Sequence, residues 1–155
     1  MPAILTAMPV ANEHGVELLR TMRNATRQGF SYFNDEISAA DQAAWWERMR
    51  GKVLAWIYAT ARGLIVGFGV LRQTDDGRWW TTTGILPEHR GHNYGKAIMH
   101  DLVTRSPEPP WSAARRDNLA AQKLHVVEEW IKILQDDRLI YYRARGPYDL
   151  VGVPS

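Results

Sequence analysis

Cysteine is absent from the 155 residues. That excludes a disulfide framework, a thiolate nucleophile and a zinc-ribbon site. Metal-ligand spacing is missing too. The five histidines, at 14, 89, 92, 100 and 125, include no His-x-x-x-His or Glu-x-x-His pair, so no metal is expected. The longest apolar run, 64-LIVGFGVL-71, is far too short to span a bilayer, and no membrane partner is expected. The opening Met-Pro-Ala-Ile lacks the basic then apolar pattern of a signal peptide, which makes a cytoplasmic location the default expectation. Strong charge of one sign is lacking as well. A formal net charge of +2 is too small to imply a nucleic-acid surface unaided, and such a partner is not favoured. The basic clusters in 112-SAARRD-117 and 138-RLIYYRARG-146 read as solvated strand and helix ends.

Aromatic residues, by contrast, are plentiful. Seven tryptophans argue for a substantial core or for a cleft lined by flat rings. No repeat, low-complexity tract or linker divides the chain, so residues 1–155 are expected to form one domain, burying roughly two-thirds of the unfolded surface. Pattern and turn signals predict a strand over 3–10, a helix over 13–28 and, after the connector 30-FSYFNDE-36, a helix over 39–50 opened by Ser38 and Asp41. Strands over 53–61, 64–73 and 78–86 follow, joined by hairpins at Arg62-Gly63 and Asp76-Gly77. Then come a helix over 92–105, a strand over 111–117 and a helix from Asn118 to Leu134. That last helix is suggested by Ala121, Leu124, Val127, Ile131 and Leu134 at helical spacing. A strand pair over 138–145 and 148–153 would turn at Gly146-Pro147. The order implies an α/β (mixed α+β) fold, a mixed sheet of about seven strands with helices on both faces.

The stretch that carries chemistry is 84-GILPEHRGHNYGKAIMHDLV-103. A strand ending at Leu86 leads through Arg90, Gly91, Asn93 and Gly95 into a helix. Free amides at a helix N-terminus attract anions, and residues with little Cβ obstruction let backbone close around a phosphate. Asn93 tolerates a left-handed conformation. A Walker A loop is ruled out, because Gly95-Lys96 precedes Ala97 rather than Ser or Thr. A dinucleotide fingerprint would need the glycines early in a parallel βαβ unit.

The sequence resembles the GNAT superfamily of N-acetyltransferases. The family's Gln/Arg-x-x-Gly-x-Gly/Ala element matches Arg90-Gly91-His92-Asn93-Tyr94-Gly95, preceded by Ile85-Leu86-Pro87. Its Asn-x-x-Ala-x-x-Leu-Tyr pattern matches Asn118, Ala121, Leu124 and His125. The resemblance implies a mostly antiparallel sheet splayed between the fourth and fifth strands. It implies acetyl-CoA as cofactor, held by Ile85, Leu86, Arg90, Gly91, His92, Asn93, Tyr94, Gly95, Lys96 and Asn118. Ile85 would supply the amide near the thioester. Two positions depart from the pattern. Asn93 replaces glycine, and His125 replaces the tyrosine that in many relatives protonates the departing thiolate. His125 is the candidate catalytic acid, with simple packing as the alternative.

An amine must be neutral to attack, so a base is needed. Many relatives carry a glutamate on the fourth strand, where this chain reads Trp79-Trp80-Thr81-Thr82-Thr83. Asp35 and Glu36, or Glu88 and His89, are the remaining candidates. The resemblance places the acceptor pocket at Tyr32, Phe33, Asn34 and Asp35, with Trp79 from the strand; neighbouring tryptophans face opposite sides, so one of Trp79 and Trp80 is core. The leading expectation is transfer of an acetyl group to a primary amine of a small molecule or amino-sugar. Acylation of a macromolecular amine and a non-catalytic CoA-binding module are the alternatives. A homodimer is compatible with each.

Overall fold

Short caps and turns set most element boundaries in the computed structural model, which describes residues 4–27 and 35–146. Strand β1 (Thr6–Pro9) leads to helices α1 (Glu13–Thr26) and α2 (Ala39–Arg48). Asn12 caps α1 by accepting from the Gly15 amide, and Ser38 caps α2 by accepting from the Asp41 amide. Strands β2 (Val53–Ala59), β3 (Ile65–Gln73) and β4 (Trp79–Ile85) form the expected meander. Its hairpins turn at Gly63 and Gly77, both at positive φ (84° and 86°). A single 3₁₀ turn, Pro87–His89, then precedes α3 (Tyr94–Arg105), β5 (Trp111–Arg115), α4 (Leu119–Val127), β6 (Ile131–Gln135) and β7 (Leu139–Arg143).

The seven strands lie in the order β1-β2-β3-β4-β5-β7-β6. Every neighbouring pair is antiparallel except β4 and β5, which run parallel. Among the described residues no helix is long and apolar enough to cross a membrane.

The last third of the chain corrects the expected element order. Helix α4 stops at Val127, not Leu134, and Ile131–Gln135 is a strand. Glu129 at φ 59° ends the helix, and the Trp130 amide folds back on the His125 carbonyl at 2.9 Å. The hairpin that joins β6 to β7 turns at Asp136; the turn expected at Gly146-Pro147 runs into residues outside those described. The Asp136 carboxylate accepts from the amides of Arg138 and Leu139, each at 2.8 Å, which closes the turn between β6 and β7. The strand expected over 148–153 lies outside the described residues.

Two layers of side chains hold the sheet. Val53, Ala55 and Ile57 on one face of β2 pack with Val16, Leu19 and Met22 of α1. The alternate residues Trp56 and Tyr58 face the other way, where Ile98 and Leu102 of α3 cover them. Asp101 of α3 accepts from the Tyr58 hydroxyl at 2.6 Å and from Arg105 Nε at 2.7 Å. Burial and the Asp101 carboxylate push the Tyr58 phenol far above its ordinary value, so it stays a donor.

Gly84 in β4 shows how closely α1 and the sheet approach. A Cβ there would come within 2.5 Å of the buried Phe68 ring and 2.9 Å of Thr26 Oγ1. Gly84→Ala should therefore overpack the site and cost about 1–3 kcal/mol of stability. A denaturant midpoint equal to that of the wild type would contradict this packing.

Candidate active site

The site begins with how β4 is bonded. The Leu86 amide donates to the Val66 carbonyl directly opposite it on β3 at 2.9 Å. Backbone groups alternate sides along an antiparallel strand, so the amides and carbonyls of Thr81, Thr83 and Ile85 turn the other way, toward β5. Among the described residues, β5 meets β4 in register only at Trp80 and Trp111. The strands then part, and the main chain of Thr83 and Ile85 faces a cleft instead of a strand. Residues from α1, α2, β4, α3, β5 and α4 line this cleft, whose volume is about 1600 Å³. A drug-sized ligand typically fills roughly 300–1,000 Å³, so there is room for two reactants.

Helix α3 points its N-terminus at the gap. Asn93 stands at φ 63°, the left-handed conformation, and its side chain makes no capping bond. The Asn12, Ser38 and Asn118 side chains do cap α1, α2 and α4. The first-turn amides of α3 (Tyr94, Gly95, Lys96) thus have neither a helical acceptor nor a side-chain cap. Gly91 at φ 86° completes the loop, with open space where a Cβ would be. Arg90 Nε donates to the Ile85 carbonyl at 3.3 Å, which ties the loop to the end of β4.

His125 lies on the far wall, 2% exposed. Its Nδ1 sits 2.6 Å from the Ala121 carbonyl, an obligate acceptor, so Nδ1 carries the proton. Nε2 lies 2.9 Å from the Ser112 hydroxyl, which donates to it when the ring is neutral. The ring stacks on Tyr142 at 4.2 Å and meets the Trp130 edge at 5.1 Å. Burial holds its pKa below the ordinary imidazole value. These contacts and the burial fit a neutral ring with both nitrogens engaged. Ser112, itself buried and lining the cleft, went unnoticed because a lone strand serine carries no sequence signal.

Of the residues expected to hold the cofactor, Ile85, Arg90, Gly91, Asn93, Tyr94, Gly95, Lys96 and Asn118 line the cleft. Leu86 and His92 do not; Leu86 packs toward the α1 core. Asn118 spends its side-chain oxygen on the Ala121 amide. On the acceptor side, Tyr32, Phe33 and Asn34 lie outside the described residues. Asp35, Glu36 and Glu88 are exposed and His89 is half-buried, and none of them lines the cleft. Trp79 is 9% exposed and belongs to the core against α3. The cleft receives Trp80 instead, because alternation puts it on the α1 face. Trp80 also meets Trp111 at 5.9 Å and the Tyr141 edge at 6.2 Å. Cleft residues that the sequence reading missed include Arg23, Gln42, Arg72 and Asp41.

A seven-strand mixed sheet, parted beside an uncapped helix N-terminus, defines an acyl-CoA-type transferase architecture. The Acetyltransferase (GNAT) family profile matches residues 19–126. The chain belongs to that family. Among solved structures it is similar to YncA of Salmonella typhimurium, solved with its cofactor acetyl-CoA. That likeness has a TM-score of 0.73 at 13% identity, covering 97% of this chain and 98% of that one. It is similar to the Campylobacter jejuni N-acetyltransferase PseH in complex with acetyl coenzyme A, with a TM-score of 0.66 at 11% identity, covering 92% and 99%. It is also similar to mutant forms of the spermidine/spermine N-acetyltransferase SpeG from Vibrio cholerae, with a TM-score of 0.66 at 12% identity, covering 90% and 91%. Identities this low carry the fold alone. No curated protein sequence matches at a significant level.

The state of His125 has a pH signature. Its folded pKa lies below the unfolded value of 6.5, so the unfolded chain binds the extra proton first. The neutral ring's contribution is complete above that value and is lost as pH falls through the depressed folded pKa. Melting temperatures of the wild type should therefore drop more steeply below pH 6.5 than those of His125→Gln. Parallel curves would overturn the assignment.

Proposed function

We propose that the protein moves an acetyl group from acetyl-CoA to the primary amine of a small molecule or amino-sugar, by direct attack of the amine on the thioester. The observation that carries this reading is the uncapped α3 N-terminus at the mouth of the parted strands. Its donor set suits a pyrophosphate: three first-turn amides, the helix dipole, and Gly91 with no Cβ in the way. Arg90, Lys96 and Lys123 line the same side and add positive charge. Acetyl-CoA, when bound, supplies an acyl group activated as a thioester.

The chain's own groups do the rest. The Thr83 and Ile85 main chain offers strand-edge donors and acceptors to the amide-bearing arm of the cofactor. The Ile85 amide is the donor available to the reacting carbonyl oxygen, where charge builds as the amine attacks. The cleft walls bring amine and thioester together and restrict water. One proton leaves the amine nitrogen and one reaches the departing sulfur, so the reaction balances without a protein acid. A neutral His125 is consistent with that. It braces Ser112 and the α4 wall.

Asn93 gives the sharpest test. Asn93→Gly keeps access to positive φ, whereas a β-branched residue there costs about 1–2 kcal/mol and distorts the loop. Calorimetry should show acetyl-CoA affinity within a few-fold of wild type for Asn93→Gly, and at least about tenfold weaker for Asn93→Val. Folded Asn93→Val with unchanged affinity would remove the cradle from the reading. Wild type should release CoA thiol from acetyl-CoA in the presence of an accepted amine; binding without release for every amine offered would leave only a cofactor-binding module.

A further inference from the structure

Attack by an amine leaves a proton to be placed, and the cleft offers few side chains to hold it. Among the described lining residues the arginines, Lys96 and Lys123 are already protonated at neutral pH. The lining carboxylate is Asp41, exposed in the first turn of α2. That leaves the imidazole of His125, with the Ser112 hydroxyl bonded to it.

Ser112 follows Trp111, the residue at which β5 meets β4 in register. It therefore stands where the two strands begin to part, 4% exposed and on the cleft lining. Its hydroxyl lies 2.9 Å from His125 Nε2. The Ala121 carbonyl, 2.6 Å from Nδ1, fixes the tautomer, so the Nε2 lone pair is directed at Ser112. Tyr142, stacked at an interplanar angle of 9°, and the Trp130 edge keep the ring from turning. Hydroxyl, imidazole and carbonyl thus stand in the order that lets a base act through a hydroxyl. One group meets the reactant, one holds the proton and one orients the ring. Burial keeps the ring unprotonated and so able to accept.

We propose that Ser112 and His125 form a proton shuttle, with Ser112 the catalytic residue that meets the reacting atoms and His125 the base that acts through it. The inference rests on the acetyl-transfer reading above and supplies the base that β4 lacks. As the C–N bond forms, Ser112 Oγ accepts the proton that the amine loses, while its own proton passes to His125 Nε2. As the C–S bond breaks, its electron pair leaves with the sulfur. Nε2 then returns its proton to Ser112, which gives one to the sulfur. Nδ1 keeps its proton on the Ala121 carbonyl throughout. The products are the N-acetylated amine and the CoA thiol, and the protein ends as it began.

The test measures CoA thiol release above the uncatalysed background. It uses the best-accepted member of an alkylamine panel (ethanolamine, glucosamine, spermidine) and, separately, hydroxylamine. Ser112→Ala should lower kcat for the alkylamine by about a hundredfold while calorimetric acetyl-CoA affinity stays within a few-fold. The loss should be several-fold smaller for hydroxylamine, whose weaker basicity lets water take the proton. His125→Gln keeps a hydrogen-bond acceptor for the Ser112 hydroxyl but cannot hold a proton there. Its kcat should fall as far, whereas a merely bracing His125 predicts turnover near wild type. This variant also serves if Ser112→Ala fails to fold. Wild-type turnover in either folded variant, or equal losses for the two kinds of amine, overturns the inference and leaves acetyl transfer standing. So does an acetyl group found on Ser112 by mass spectrometry, which would make it a nucleophile instead. Acetyl-CoA binding with no thiol release for any amine overturns both.

Discussion

Strands β4 and β5 begin as neighbours and cannot remain so. They meet at Trp80 and Trp111, then separate, and one edge of β4 is left with backbone groups that no strand takes up. Buried backbone donors and acceptors need partners, so such an edge is stable only where solvent or a ligand reaches it. The parting therefore creates the cleft and supplies its first hydrogen-bonding groups. It also leaves room for α3 to aim its N-terminus between the strands, since only a short turn separates Ile85 from Tyr94. The seam holds because the two flanking halves of the sheet have separate cores, one under α1 and α2 and one joining α3 to β5 and β7.

Positive charge reaches the cleft by two physical routes. At the α3 end it comes from uncapped amides and a helix dipole, which are fixed by backbone geometry. Elsewhere in the cleft it comes from side chains on α1, α2 and β3, which a fold can vary without disturbing its backbone.

The wall opposite β4 shows how a motif position can change chemistry while keeping its place. His125 occupies the point where the family pattern has a tyrosine, yet its nitrogens are engaged by Ala121 and Ser112 and its ring is enclosed by Tyr142 and Trp130. Enclosure favours the neutral form. The residue type suggested a proton donor; its surroundings engage both ring nitrogens. Trp79 and Trp80 make a similar point, since nothing in the dipeptide says which ring faces the core.

Much was legible in the chain itself. The hairpins at Gly63 and Gly77, the caps at Ser38 and Asn118, and the Arg90–Gly95 loop are local, and short-range sterics and hydrogen bonds specify them wherever they occur. The end of α4 was not legible, because Ile131 and Leu134 continue a helical spacing that a strand also accommodates. Only the pairing of β6 with β7 and the turn at Asp136 decide between them. The meeting of Arg23, Gln42 and Arg72 in one cleft was hidden for the same reason. Arg23, Gln42 and Arg72 are scattered over three elements, and each alone reads as a surface residue. By itself the sequence determined the local backbone devices, including the loop that opens α3, because their causes lie within a few residues. Which side chains share the cleft was decided only by the tertiary structure, because that depends on strand register and on the faces that distant elements turn toward one another.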